Sequence, residues 1–301
     1  MLAVRRLRIK AGGAIGAYYG CARGEWELYT PLPAHDSRRI HIPYRTGGSM
    51  TEDIKRKEAE YFDDYTDSLV RAPLWKYYAV GRRSKEDYRR AEFSRCPGAR
   101  VLDYGCGAGH HSLELADAGA EQVVGIDISP KSIEVARESA ARAGVDNAEF
   151  HTMDAETMDF PDDHFDLVTG LAILHHLDLD KAGRELARVL KPGGVAVFSE
   201  PLGHNPALNL FRRFTPSMRT DDEHPLVRGD VKILQRHFDG VEVRCFNLCS
   251  LATLPLVRWP RVFEPALTVL DGLDRALFKV IPPLRWWGWY ATLEFSKPRK
   301  S

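Results

Sequence analysis

Between residues 100 and 201 the apolar positions fall in short runs, separated by stretches with helical periodicity. Val101-Leu102 ends on Asp103, QVVGIDIS ends on Asp127, and NAEFHTMD, HFDLVTGLAIL and VAVFSEP follow as a third, fourth and fifth apolar run. Runs this short, alternating with helical segments, predict a parallel sheet with covering helices. The helix after the second run is marked at both ends: Ser129 stands at the N-cap, Pro130 at the first helical position and Gly144 at C′. Between them Ile133, Ala136, Ala140 and Ala143 fall on one face. GRELARVL reads as a helix stopped by Lys191-Pro192-Gly193-Gly194.

The flanks are patterned differently. Residues 1–49 show no periodicity, carry Arg5, Arg6, Arg8 and Lys10, and have no acid before Glu25. They read as a disordered extension, or as sequence upstream of a start at Met50. Arg5-Arg6 is followed by AGGAIGAYYGCA, a poor apolar core for an export signal. Residues 51–95 read as one or two helices with the aromatic residues Tyr61, Phe62 and Tyr65. After Pro201, HNPALNLFRRFTPSMRTDDEHPL reads as an irregular, basic insertion; GDVKILQRHF reads as a helix, and VEVRCFNLCSL and WYATLEFSK as the last two strands. Residues 252–288, between those strands, hold a helix with Leu267, Leu270, Leu273, Leu277 and Ile281 in a stripe, then Pro282-Pro283 and Trp286-Trp287.

Composition narrows the class. The 301 residues are 44 % apolar and 28 % charged, the balance of a globular protein. Lys+Arg and Asp+Glu both number 42, so no net field recruits nucleic acid. The five cysteines are scattered, which suits a reducing cytoplasm, and Cys245 and Cys249 lack the second pair that a zinc site needs. No apolar stretch approaches the roughly eighteen residues of a membrane span.

The candidate chemistry starts at Gly105, Gly107 and Gly109, which follow Asp103 and precede a helical segment at His110. Glycine permits a sharp turn and lets a ligand touch bare backbone. A strand, a glycine turn and a helix N-terminus together make a nucleotide-binding corner. The dinucleotide fingerprint places its third glycine where this chain has His110, which counts against a nicotinamide dehydrogenase. Asp127 closes the second strand about twenty residues later, where a carboxylate matches two vicinal ribose hydroxyls. Its alternative, a helix-capping role, is already filled by Ser129. Asp154 ends the third strand; its carboxylate, or the next amide, suits an adenine amino group, with a solvated loop acid as the alternative.

Together DYGCGAG, GIDIS, MDAE, FDLV, LHHL and RVLKPGG resemble, in order and spacing, the class I S-adenosylmethionine-dependent methyltransferases. The likeness is to the small-molecule branch that includes ubiquinone and menaquinone biosynthetic enzymes. It is close over residues 95–201 and looser over 51–94 and 229–295. It implies an α/β, Rossmann-like fold: a seven-stranded, mostly parallel sheet with helices on both faces and an antiparallel final strand, plus helical and irregular acceptor-binding insertions. The implied organisation is the extension over 1–49, a helical lid over 50–98, a cofactor-binding core over 99–201, and acceptor-side insertion, last strands and helical insertion over 202–301. The implied cofactor is S-adenosyl-L-methionine, lined by Tyr65 of the lid, Asp103, Gly105, Cys106, Gly107 and Gly109, by Asp127 and Ile128, Asp154 and Ala155, and Gly170 and Leu171. Cys106 departs from many relatives and is expected to line the turn through its backbone. TGLAILHHL stands where amide and base methylases carry an Asn/Asp-Pro-Pro-Tyr element, which points away from nucleic acid and toward a small acceptor.

Methyl transfer from a sulfonium is an in-line displacement, and the protein's task is alignment in a dry pocket. A hydroxyl acceptor also needs a base. His175, His176 and His224 are the candidates, with His204 beside them; adjacent histidines point different ways, so one of the pair reaches the pocket. Buried or surface histidines without a catalytic part are the alternative. Arg212, Arg213, Arg219 and Arg228 are either solvated or bind an anionic acceptor. The stripe over 267–281 is core, a homodimer contact, a peripheral membrane contact or a wall for a greasy acceptor. The leading expectation is a cytoplasmic methyltransferase acting at oxygen of a small organic molecule. A binding module that has lost catalysis is the alternative.

Overall fold

The structure is a computed structural model that describes residues 55, 56, 79–215 and 224–300. Tyr65 and its aromatic neighbours, the extension over 1–49, and Arg219 lie outside the described residues. The apolar runs become β1 (Arg100–Tyr104), β2 (Gln122–Asp127), β3 (Ala148–Thr152), β4 (Phe165–Leu171), β5 (Leu190–Pro201), β6 (Phe238–Phe246) and β7 (Tyr290–Pro298). These form one seven-stranded sheet in the order β3-β2-β1-β4-β5-β7-β6. The first five strands pair in parallel, and β7 runs antiparallel to both β5 and β6. Alternate residues feed two cores. Leu102, Tyr104, Val168, Ala196 and Phe198 are buried on one face, and Val101, Leu167 and Val197 on the other with Tyr88 and Leu115. Burial on both faces is why these strands read as continuous apolar runs.

The helices are α1 (Arg82–Phe93), α2 (His110–Asp117), α3 (Pro130–Ala143), α4 (Leu179–Val189), α5 (Pro206–Phe214), α6 (Arg228–Leu234) and α7 (Pro260–Val280). Around α3 the expected signals act as read: Ser129 Oγ accepts from Ser132 N, and Gly144 ends the helix in the left-handed region. Elsewhere tertiary contacts moved the boundaries. Asp178 starts α4 four residues before the expected GRELARVL, by accepting from Asp180 N and Lys181 N. The Lys-Pro-Gly-Gly stretch, expected as a stop, is the start of β5, entered through a register shift opposite Phe165 and Leu167. Phe238, expected at a helix end, pairs with Pro298 in the sheet.

Two further expectations are corrected. The segment after Pro201 is not wholly irregular: Asn205 Oδ1 accepts from Ala207 N and Leu208 N and nucleates α5. The leucine stripe of α7 is not one buried face, because Leu267 is buried while Leu273 and Ile281 are exposed. Polar anchors rotate that helix. Asp274 accepts from the backbone of Leu248, Cys249 and Ser250, and Asp271 pairs with Arg83, so Phe263, Leu267, Asp271 and Asp274 face inward.

Gly109 enters α2 at φ 78°, and a Cβ there would lie 2.7 Å from Ala136 Cβ and 3.0 Å from Phe150. Gly109→Ala is therefore expected to destabilise the fold by about 1–3 kcal/mol through overpacking and left-handed strain. Urea denaturation measures this; an unchanged midpoint contradicts the tight α2–α3 contact.

Candidate active site

The strand order reverses between β1 and β4, and in open α/β sheets that switch point opens a crevice outside the carboxyl ends of the strands. Gly105, Gly107 and Gly109 all have positive φ there. Gly105 N and Cys106 N donate to Ile126 O, which pins the turn against β2. A Cβ on Gly107 would meet nothing within 4 Å, so this residue faces open space. Cys106 turns its buried thiol away, packing with Ile133, Ala136, Ala140 and Phe150. It can line the crevice with backbone alone, and burial pushes the thiol pKa well up.

Asp127 sits at the crevice edge, and it has structural work that the sequence reading did not give it. Its Oδ2 accepts from Gly107 N at 2.8 Å and its Oδ1 from Ser129 N at 2.9 Å. The carboxylate thus clamps the glycine turn to the residues that open α3. Ile128 is half-buried beside it. Asp103 is buried under the turn and accepts from Ser112 Oγ at 2.5 Å. Burial pushes its carboxyl pKa up, against the opposing pull of His111 and Ser112. Asp154 accepts from Glu156 N and from Lys55 Nζ, which also pairs with buried Glu156 at 3.0 Å. Ala155 is buried, with its carbonyl taken by Tyr104 OH.

On the other wall, β4 ends with buried Gly170 and exposed Leu171, and Ala172 adopts φ 56°. This is a costly conformation for a residue with a side chain, and such strain concentrates at functional turns. The chain then enters a 3₁₀ turn over Leu174–His176. Glu200, at the end of β5, organises that turn. Its Oε1 accepts from Ile173 N and Leu174 N, both at 2.9 Å, and its Oε2 lies 2.7 Å from His175 Nδ1. Both partners are buried. A carboxylate already accepting two amides acts as acceptor toward the ring too, so Nδ1 donates to it. Half-buried His176 packs on His175, with ring centroids 4.2 Å apart. The two walls touch, because a Cβ on Gly105 would sit 2.9 Å from the Ile173 side chain.

The other candidate bases are placed elsewhere. His224 is exposed, 3.9 Å from Asp230. Exposed His204 accepts from Arg228 N. Arg212 is bonded to Asn209 and to Leu202 O.

Sequence reasoning missed two buried acids. Glu200 had a signal, as the acid ending an apolar strand on the same edge as Asp103 and Asp127. Glu92 had none, since it sits in a charged helix. It is fully buried, and its Oε2 accepts from Thr169 Oγ1 at 2.6 Å and pairs with His111 Nε2 at 2.9 Å. Tyr88 OH completes the group, 2.6 Å from Thr169 Oγ1. Glu92 ties α1 to β4 and α2.

Comparison with known proteins agrees with this geometry. The sequence profile of a methyltransferase domain matches residues 101–194. Over those residues the chain is similar to methyltransferase domains. The chain is 44 % identical over 96 residues to the uncharacterized methyltransferase YcgJ of Bacillus subtilis, covering 32 % of this chain and 38 % of the relative. It is 43 % identical over 99 residues to the 27-O-demethylrifamycin SV methyltransferase of Amycolatopsis mediterranei, covering 32 % and 36 %. The match thus spans well under half the length of these relatives. The phosphoethanolamine N-methyltransferase 2 of Haemonchus contortus, solved with phosphomonomethylethanolamine and S-adenosylhomocysteine, shares the fold with a TM-score of 0.54 at 20 % identity, over 79 % of this chain and 60 % of that one. Among the described residues no helix is long and apolar enough to cross a membrane.

The Glu92–His111 contact gives a signed pH dependence. Burial pulls the His111 pKa down, but the hydrogen bond and charge of Glu92, helped by Asp103, outweigh it and the net shift is upward. A raised histidine contributes stability that is complete below its unfolded pKa, about 6.5, and is lost as pH rises through the folded value. Urea-denaturation stability is expected to fall across that window in the natural protein and to fall less in Glu92→Gln. Parallel pH profiles contradict the coupling.

Proposed function

We propose that the protein is an S-adenosylmethionine-dependent methyltransferase that transfers a methyl group to oxygen of a small organic acceptor. The observation that carries this is the meeting of the glycine turn with a buried His–Glu pair across the Gly105–Ile173 contact. The open side of Gly107, the bare backbone of the turn and the place of Asp127 at the end of β2 suit an adenosyl group. Asp127 would hold the ribose; Ile128, Asp154 and Ala155 would line the adenine, and Asp103, Gly105, Gly170 and Leu171 the amino-acid end. When bound, the cofactor supplies an electrophilic methyl on a sulfonium.

The chain's own residues then have separable tasks. Glu200 fixes the ring of His175 and the backbone that carries it, and so acts as a positioning residue. His175 Nε2 takes the hydroxyl proton of the acceptor, and the Glu200 carboxylate stabilises the resulting imidazolium. The apolar residues around the turn keep water from the reacting atoms. The rifamycin relative is named for O-methylation, which supports oxygen as the acceptor atom here.

S-adenosylhomocysteine at about a hundredfold excess over its Kd is expected to stabilise the protein by about 2.7 kcal/mol, roughly 5–10 °C in Tm, and NAD to leave it unchanged. The reverse pattern in a thermal-shift assay rejects the reading. His175→Gln is expected to keep the S-adenosylhomocysteine shift while losing about 10²–10⁴ in kcat on a hydroxylated acceptor, with Glu200→Gln falling between. Undiminished turnover in His175→Gln rules out the histidine base; binding without turnover across an acceptor panel points to a module that only binds.

A further inference from the structure

The exposed side of α7 is not polar, as a surface helix of a self-contained fold would be. Val262, Val269, Leu273 and Val280 are 54 %, 68 %, 45 % and 76 % exposed. They are spaced by seven, four and seven residues, which at 100° per residue puts them within about 20° of one line. The helix has 21 residues, so the stripe runs roughly 30 Å. Trp259 precedes it at 60 % exposure and Trp287 follows it at 45 %. This is separate from the inward face built on Phe263, Leu267, Asp271 and Asp274.

Charge is sorted around the stripe. All three acids of α7 are partnered: Asp271 and Asp274 are buried against Arg83 and backbone amides, and exposed Glu264 pairs with Arg82. The basic residues of the helix, Arg261, Arg275 and Lys279, are exposed and share the flank beside the stripe. The whole chain has no net charge, so this polarity is local. Tryptophan belongs at the boundary between apolar and wet surroundings, and cations beside an apolar face favour a negatively charged surface.

We propose that the outer face of α7, with Trp259 and Trp287 at its ends, docks on an anionic lipid bilayer and lies in the plane of its interface. Charge complementarity selects this occupant: the exposed cations Arg261, Arg275 and Lys279 meet the negative headgroups of an anionic bilayer. The surface continues toward the crevice. Asn205, the cap of α5, donates from Nδ2 to Trp287 O at 2.7 Å, and Leu202 N donates to Trp289 O, two residues beyond Glu200. Along α5, which has no buried residue, Leu210 and Phe214 are exposed. An apolar acceptor dissolved in the bilayer would therefore reach the site from the membrane side. The docking itself stands without the methyl-transfer reading, because vesicle binding needs no turnover.

The test is co-sedimentation of the full chain with vesicles of phosphatidylcholine alone and of phosphatidylcholine mixed with phosphatidylglycerol. Binding is expected on the mixed vesicles only, weakening with added salt. Arg261→Ala and Lys279→Ala should each weaken it about fivefold. Val269→Asp with Leu273→Asp should lower it at least tenfold, and because these side chains are exposed the urea midpoint should hold. Failure to sediment with the mixed vesicles, equal binding to both lipids, or full binding by the Asp variant overturns the proposal. So does a dimer in sedimentation velocity that the Asp variant splits, since the stripe would then belong to a second copy.

Discussion

The molecule turns on a contact where a side chain has no room. At Gly105 any Cβ would collide with Ile173, so the turn after β1 and the turn after β4 come closer than two ordinary residues allow. That approach sets the geometry of the crevice. One wall is backbone, held by Ile126 O and the Asp127 carboxylate; the other carries His175, held by Glu200. Neither wall is placed by its own element alone. Each depends on an acid at the end of a neighbouring strand, and the sheet brings those strand ends to one edge.

Those acids explain why a mostly apolar sheet ends in charge. Buried carboxylates are costly unless hydrogen-bonded. Glu200 takes two amides and an imidazole, Asp103 a serine hydroxyl, and Glu92 a threonine hydroxyl and an imidazole. Asp127, only half-buried, holds two amides across the turn that it faces. In each case the acid joins two or three elements. The strand ends are therefore both the chemically equipped part of the protein and the part most tightly cross-braced.

Much of this was legible in the sequence, and the reason is local. Four of the five parallel strands, β1, β2, β4 and β5, are buried on both faces and so appear as apolar runs; Ser129, Pro130 and Gly144 bracket α3 by backbone chemistry that needs no tertiary contact. The glycine turn was legible because left-handed backbone has few alternatives to glycine. What did not show came from long-range contacts. Glu92 lies in an ordinary charged helix and finds His111 and Thr169 only once α1 packs. The rotation of α7 depends on Asp271 and Asp274 meeting Arg83 and the amides of 248–250, so leucine spacing alone did not fix which face turns inward. The extension of β5 back through Pro192 depends on pairing across a bulge, which local propensity opposes. Asp127 was read as either ligand-binding or structural; its bonds to Gly107 N and Ser129 N give it a structural part.

The central claim is that this crevice seats an adenosyl group on one wall and presents the acceptor to the other. A crystal structure of the chain with S-adenosylhomocysteine and a hydroxylated product analogue tests it most directly. The account requires ribose hydroxyls within hydrogen-bond reach of Asp127, the adenosyl group against the open side of Gly107, and the product oxygen within reach of His175 Nε2. An adenosyl group bound elsewhere, or a product oxygen oriented away from the His175–Glu200 pair, contradicts it.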